Sequence, residues 1–140
     1  MARGLQSLIK IHEWKVTEEQ RKLAEVNRAI EDMESRIARL DTDLAHEQAV
    51  AASDPHQAGR YLASYTAAAL ERRRRLVQSL ATLEEQAAGV RADLHEAYRE
   101  RRKYELAEEA RQRREAEDRE RREQMDLDEL GTQGVARRGK

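Results

Sequence analysis

Apolar residues recur at every seventh position through the first third of the chain. One series contains Ile9, Val16, Leu23, Ile30, Ile37, Leu44 and Ala51, and a second, offset by three, contains Val26, Met33 and Leu40. A seven-residue repeat keeps a narrow apolar stripe on one side of a helix, as a coiled coil requires. A globular domain would show broken periods and frequent helix boundaries instead. We therefore predict a first helix over about residues 3–52.

A second repeat follows the only proline of the chain. Pro55 would cost roughly 3 kcal/mol inside a helix but is favoured in its first turn. Asp54 is suited to be the N-cap, with Gln57 three residues later completing a capping-box pattern. This predicts a turn at 53–55 and a second helix over about 55–130. Its apolar positions are Leu62, Ala69, Leu76, Leu83, Val90, Ala97 and Tyr104, interleaved with Leu80, Ala87 and Leu94.

So short a connection makes consecutive helices antiparallel neighbours. The predicted fold is all-α: two long helices in an antiparallel coiled-coil hairpin over residues 1–130, the second helix being longer and overhanging. Folding about residue 55 pairs positions whose numbers sum to about 110, such as Leu40 with Leu70, over roughly 75 Å. Gly131 is the predicted residue that follows the helix end, with a disordered tail over 131–140.

The overhanging segment is almost entirely polar between residues 111 and 124, where Ala116 is the one apolar residue. Acidic and arginine residues four apart are expected to stabilise it as a single solvated helix. These pairs are Glu109–Arg113, Glu115–Arg119, Glu117–Arg121 and Asp118–Arg122. Leu127 and Leu130 then follow with nothing opposite to cover them, and docking on a partner is favoured over fraying.

The amino-acid composition supports a helical hairpin and argues against several other classes of protein. Of 140 residues, 39% are charged and 4% are aromatic, too few large apolar side chains for a layered core. The net charge of −1 gives no overall attraction to nucleic acid, and the absence of cysteine excludes disulfides and thiolate chemistry. No apolar run is long enough to span a bilayer, and the N-terminus does not resemble a signal peptide. A cytoplasmic protein is expected.

Catalytic chemistry is not indicated. None of the four histidines, His12, His46, His56 and His95, lies four residues from another, so no helix face offers paired imidazole ligands. The glycines form no phosphate-binding loop, and a hairpin has no concave pocket. We predict no enzyme, no catalytic residue, no metal and no cofactor.

Two groups of residues near the turn are candidate binding sites for partner molecules. Tyr61, Tyr65, Ala68 and Arg72 share a helix face just off the apolar seam, and exposed aromatic and arginine side chains are typical anchors for a protein partner. The alternative is that the tyrosines only cover the hairpin tip. The basic run 72–75 fans around the helix, so a solvated surface is favoured over an anionic partner site.

Trp14, the only tryptophan, lies just off its seam position. We expect it to pack at the core edge against Tyr98, the alternative being contact with a partner.

The order of several short motifs resembles the flagellar FliJ family, small coiled-coil proteins of the bacterial flagellar type III export apparatus. The motifs are the leucine-rich start at 5–9, the tyrosine-rich segment 59–65, the charged Lys-Tyr-Glu segment 99–105 and the closing segment 124–130. The resemblance covers nearly the whole chain. The turn is shorter, and the alanine and arginine content higher, than in the family's pattern.

This resemblance implies a stalk-like hairpin, monomeric alone, at the flagellar base on the cytoplasmic side of the inner membrane. Its implied partners are the hexameric export ATPase, the cytoplasmic domain of the export gate and export chaperones, without nucleic acid or direct membrane insertion. The implied gate interface comprises Tyr61, Tyr65, Ala68 and Arg72, and the implied ATPase-ring interface comprises Leu5, Leu8, Tyr104, Leu127 and Leu130.

Three alternatives stay open from the sequence. The chain is also compatible with an injectisome stalk protein, or with a generic cytoplasmic scaffold that dimerises through parallel coiled coils, although Pro55 speaks against the latter. Nucleic-acid binding through residues 72–75 would require a strongly salt-dependent affinity.

Overall fold

Two long helices make up the part of the chain that the structure describes. This computed structural model describes residues 2–53 and 55–139, with side chains throughout except at residue 2 and residues 55–59. Helix α1 spans Ala2–Ser53, helix α2 spans Pro55–Arg138, and no strand is present in these residues. Alanine, glutamate, leucine and arginine dominate both helices and favour helical backbone. The all-α prediction of two long helices in a hairpin is confirmed.

The helix boundaries at the turn agree with the proline argument. Helix α2 begins at Pro55, where the missing N–H costs no intrahelical bond. In the last turn of α1 the Ser53 hydroxyl donates a hydrogen bond to the Val50 carbonyl at 2.7 Å. This bond satisfies one of the carbonyls that a helix end leaves unpaired. The predicted N-cap Asp54 and the Gln57 side chain lie outside the described residues.

The predicted seams are the positions that the structure shields from solvent. In α1 every position of the two seven-residue series is buried or half-buried, and the same holds for α2. In α1 these are positions 9, 16, 23, 30, 37, 44 and 51 together with 5, 12, 19, 26, 33, 40 and 47. In α2 they are positions 62, 69, 76, 83, 90, 97 and 104 together with 66, 73, 80, 87, 94, 101 and 108. The seven-residue repeat thus identified the contact surface of both helices.

The fully buried apolar residues of the seam are small. Val16, Ala69, Ala87 and Ala97 are 3%, 6%, 0% and 7% exposed, whereas the seam leucines and isoleucines are only half-buried. Two helices cover a long side chain from one side only, so its outer part stays in water. A short side chain fits entirely between the two backbones, and alanine therefore marks the closest approach.

Charged residues also occupy seam positions, which the apolar pattern did not reveal. Arg73 reaches across to Asp41, with Nε 2.8 Å from Oδ1 and Nη2 3.4 Å from Oδ2. Both side chains are more than 40% exposed, so this bidentate pair is solvated and contributes little to stability. Its main effect is to link one residue of α1 to one residue of α2.

The register of the hairpin differs from the predicted one. Asp41 pairs with Arg73, and His12 stacks on Tyr104, so the residue numbers sum to 114 and 116, not to about 110. Leu70, which we expected opposite Leu40, is 52% exposed. The prediction centred the pairing on residue 55, whereas the observed pairs are centred on residues 57 and 58, within the first turn of α2.

Two compact units divide the chain. One contains residues 1–15 and 97–140, and the other contains residues 16–96. Each unit includes a piece of both helices. The assignment of residues 1–130 to a single domain stays a prediction.

Within the first unit, α2 extends beyond the start of α1. All residues from 112 to 133 are exposed, as expected for a helix with no neighbour. The ion pairs that line this segment are not the predicted ones: Arg111 bridges Glu108 at 2.8 Å and Glu115 at 2.9 Å, and Arg121 pairs with Asp118. Arginine is long enough to reach back three residues or forward four, so spacing alone did not select the partner.

Helix α2 does not end at Gly131, and 131–138 is not a disordered tail. The helical backbone continues through Gly131 and Gly134 to Arg138, and no glycine in the described residues has positive φ. The Thr132 hydroxyl donates to the Asp128 carbonyl at 2.9 Å in this stretch. A glycine inside a helix costs about 1 kcal/mol relative to alanine, which weakens the helix without stopping it.

Candidate protein-partner interfaces

The tyrosine face predicted near the turn exists on α2. The rings of Tyr61 and Tyr65 stack with centroids 6.0 Å apart at an interplanar angle of 26°. Tyr61 is 61% exposed, Tyr65 is half-buried, and Ala68 and Arg72 are exposed. The four residues follow one another at three- and four-residue spacing, so they form one continuous strip beside the seam.

Helix α1 contributes to the same surface. Burial raises the pKa of Tyr65, and the carboxylates of Asp43 and Glu47 on α1 raise it further by disfavouring a second negative charge. Tyr65 therefore lies close to α1, and its hydroxyl stays protonated near neutral pH. The strip continues into a shallow groove between the helices, lined by Arg36, Arg39, Leu40, Asp43, Arg72 and Leu76. The sequence identified the α2 side of this surface but not the α1 side.

Three of the four arginines in the adjoining run 72–75 pair with carboxylates within the hairpin. Arg73 pairs with Asp41, while Arg74 and Arg75 both pair with Glu71, at 2.8 Å and 3.4 Å. Guanidinium groups that point in different directions toward carboxylates do not form the continuous phosphate-contacting stripe that nucleic-acid binding needs. This arrangement supports the interpretation of the run as a solvated surface.

An aromatic pair closes the hairpin near the beginning of α1. His12 and Tyr104 stack with centroids 4.9 Å apart and nearly parallel planes, and the Lys103 ammonium lies 5.5 Å from the Tyr104 centroid. Leu5 is half-buried at a seam position, and Leu8 is 38% exposed at its edge. The resemblance assigned Leu5 and Tyr104 to the ATPase-ring interface. Both side chains are thus partly buried by packing inside the hairpin.

The remaining two residues of the implied ATPase-ring interface lie on the overhanging part of α2. Leu127 and Leu130 are 63% and 64% exposed and, being three residues apart, share a helix face. As expected, no side chain among the described residues of the hairpin covers them. Along α2 they lie about 35 Å from Tyr104. The five residues therefore form two separate groups.

The prediction for Trp14, packing at the core edge against Tyr98, was wrong. Trp14 is 63% exposed and does not pack at the core edge, while Tyr98 has the guanidinium of Arg101 5.1 Å from its ring centroid. Ile11, three residues before Trp14, is 49% exposed. A signal was available: Trp14 lies five residues after the seam residue Ile9, which places it on the outer face of the helix.

The described part of the chain has no cluster of three or more histidine, cysteine or acidic side chains arranged to hold a metal ion. Its two helices contain no stretch long and apolar enough to cross a bilayer.

These observations define a class: a two-helix antiparallel coiled-coil protein with exposed aromatic and leucine side chains on its surface. The model of the family described as flagellar FliJ protein matches residues 1–140, the whole chain. The chain therefore belongs to the FliJ family and is a coiled-coil protein related to flagellar export. Searches of curated proteins and of solved structures gave no match.

Proposed function

We propose that this chain is a stalk-like component of the flagellar type III export apparatus. It binds the hexameric export ATPase ring, couples the ring to the cytoplasmic domain of the export gate, and has export chaperones as further partners. It acts by binding and not by catalysis, is a monomer on its own, and works in the cytoplasm at the inner-membrane side of the flagellar base. The flagellar description of the matching family favours this system over an injectisome.

The observation that carries the proposal is the exposed apolar strip on the overhang of a FliJ-family chain. Two leucines at 63% and 64% exposure, Leu127 and Leu130, lie on a helix that has no neighbour within the unit. Exposed leucines on one face of such a helix gain free energy only when a partner covers them. The charged residues before them make solvated pairs, which a partner can exchange at little cost.

The test for the ATPase is a binding titration of the hexamer with the full chain and two variants. We expect Leu127→Ala/Leu130→Ala to weaken binding by about tenfold or more, because two large apolar side chains are lost from the contact. Met125→Ala is the matched control: Met125 is 70% exposed on the same segment but lies on another side of the helix. Equal affinity of the double variant and the wild type would refute this interface.

A second titration addresses the gate surface. Tyr61→Ala is expected to weaken binding of the gate's cytoplasmic domain, because exposed tyrosines at the centre of an interface often contribute most of its energy. Leu70→Ala is the control, since Leu70 is 52% exposed on the same helix and points away from Tyr61. If Leu70→Ala weakens binding and Tyr61→Ala does not, the gate surface is assigned to the wrong face of α2.

A further inference from the structure

The outer face of α1 near its beginning carries three exposed apolar side chains. Leu8, Ile11 and Trp14 are 38%, 49% and 63% exposed. Each follows the previous one by three residues, so they lie along one side of the helix. Leu5 and Ile9 are half-buried at seam positions, and Leu8 lies at the edge between the seam and the exposed face of Ile11 and Trp14. The three therefore form an apolar strip that the hairpin itself does not cover.

Positive charge surrounds this strip. Arg3, Lys10 and Lys15 are exposed beside the apolar residues, and Glu13 is the one acidic residue among the first fifteen. Glu18, four residues beyond Trp14 in the sequence, is paired with Arg21 at 3.0 Å. The strip and its basic neighbours, residues 3, 8, 10, 11, 14 and 15, are called the N-terminal patch below. Its charge is complementary to an anionic partner.

We propose that the N-terminal patch binds the surface of an anionic lipid bilayer. Tryptophan and isoleucine side chains enter the boundary between headgroups and acyl chains, where the amphipathic indole ring is favoured. The lysines and the arginine at the same level attract anionic headgroups. Exposed apolar side chains flanked by basic residues on one helix face are the arrangement by which a helix binds at an anionic bilayer surface.

This contact requires no opening of the hairpin. The seam residues stay packed, and α1 lies in the plane of the interface without crossing the membrane, in agreement with the lack of a spanning segment in the described helices. Leu8 also belongs to the proposed ATPase-ring interface, so lipid and ring compete for it. The inference otherwise goes beyond the proposed function and does not depend on it.

Trp14 is the only tryptophan, and its fluorescence therefore reports on the patch alone. The full chain is titrated with vesicles of phosphatidylcholine containing phosphatidylglycerol, and with vesicles of pure phosphatidylcholine. We expect a blue shift and protection from aqueous quenchers with the anionic vesicles only, reversed by high salt. Unchanged emission with anionic vesicles overturns the proposal, as does an equal shift with neutral vesicles.

Variants that retain Trp14 but lose basic residues distinguish binding through the N-terminal patch from binding through the net charge of the protein. Each basic side chain near an anionic surface contributes about fivefold to affinity, so Lys10→Gln/Lys15→Gln should bind about thirtyfold more weakly. Arg113→Gln/Arg114→Gln removes the same charge from the exposed overhang and should bind like the wild type. If both double variants weaken equally, binding reflects net charge and the patch has no special role.

Removal of the apolar anchor is tested by vesicle sedimentation. We expect Trp14→Ala to weaken sedimentation with anionic vesicles by about tenfold, with unchanged helical content by circular dichroism because Trp14 is outside the seam. Full binding by Trp14→Ala overturns the proposal. A tryptophan that responds to an acidic protein but to no vesicle would assign the patch to a protein interface instead.

Discussion

Replacement of one buried valine measures how much the narrow seam contributes to stability. Val16 is 3% exposed, whereas Val77 on α2 is 41% exposed. Valine to alanine removes two methyl-sized groups, worth about 0.8 kcal/mol each when fully buried. Alanine also favours the helix over valine by about 0.5 kcal/mol at either site. With a contribution from the cavity, we expect Val16→Ala to lose about 1–2 kcal/mol of unfolding free energy.

The same change at Val77 provides the control. This side chain is about three-fifths buried, so its transfer loss of about 0.9 kcal/mol is partly offset by the gain in helix propensity, which leaves about 0.4 kcal/mol. The propensity effect is common to both variants, and their difference isolates packing. Urea unfolding followed by far-UV circular dichroism should show midpoints about 0.5 M apart. Equal midpoints, or a larger loss at Val77, would refute the view that close packing between the helices stabilises this hairpin.

Three further predictions test register, electrostatics and assembly. In this cysteine-free chain, Leu40→Cys/Leu76→Cys should form an intramolecular disulfide, since both residues line one groove; faster closure of Leu40→Cys/Leu70→Cys would contradict the observed register. Hydrogen bonds from Arg111 lower the pKa of Glu108, so their stabilisation is present above the unfolded-state pKa and is lost as pH falls through the folded one. The difference in urea midpoint between wild type and Arg111→Gln should therefore shrink toward acid pH; a constant difference would refute this coupling. Light scattering should give the mass of one chain, 16.2 kDa, and a dimer would favour the scaffold alternative.

Much of the fold was predictable because a helix repeats regularly. Side chains seven residues apart return to nearly the same side, so the series that begins at Ile9 predicted half-buried or buried positions throughout α1. Pro55 predicted the beginning of α2 for a local reason, the lack of a backbone N–H. The exposure of Leu127 and Leu130 followed from counting, since no residue of α1 remains to lie opposite them.

The candidate surfaces were predictable only in part. The strip from Tyr61 to Arg72 was identified because its members are neighbours on one helix. The α1 residues beside Tyr65 were not, because Asp43 and Glu47 come near only when the register is known. The predicted burial of Trp14 was wrong because we assumed that a large apolar residue packs at the seam. A contact between only two helices has room for few large side chains.

By itself, the sequence determined the local and periodic properties of this protein: two helices, the position of the turn, the stripe that each helix buries, and the excess length of α2. Each of these depends on backbone geometry and on residues close together in the chain. The tertiary structure decided the register, the choice of ion-pair partners and the groove beside Tyr65. These depend on how side chains of two different helices pack against each other and on how far flexible arginine side chains reach, and no repeat in the sequence encodes either.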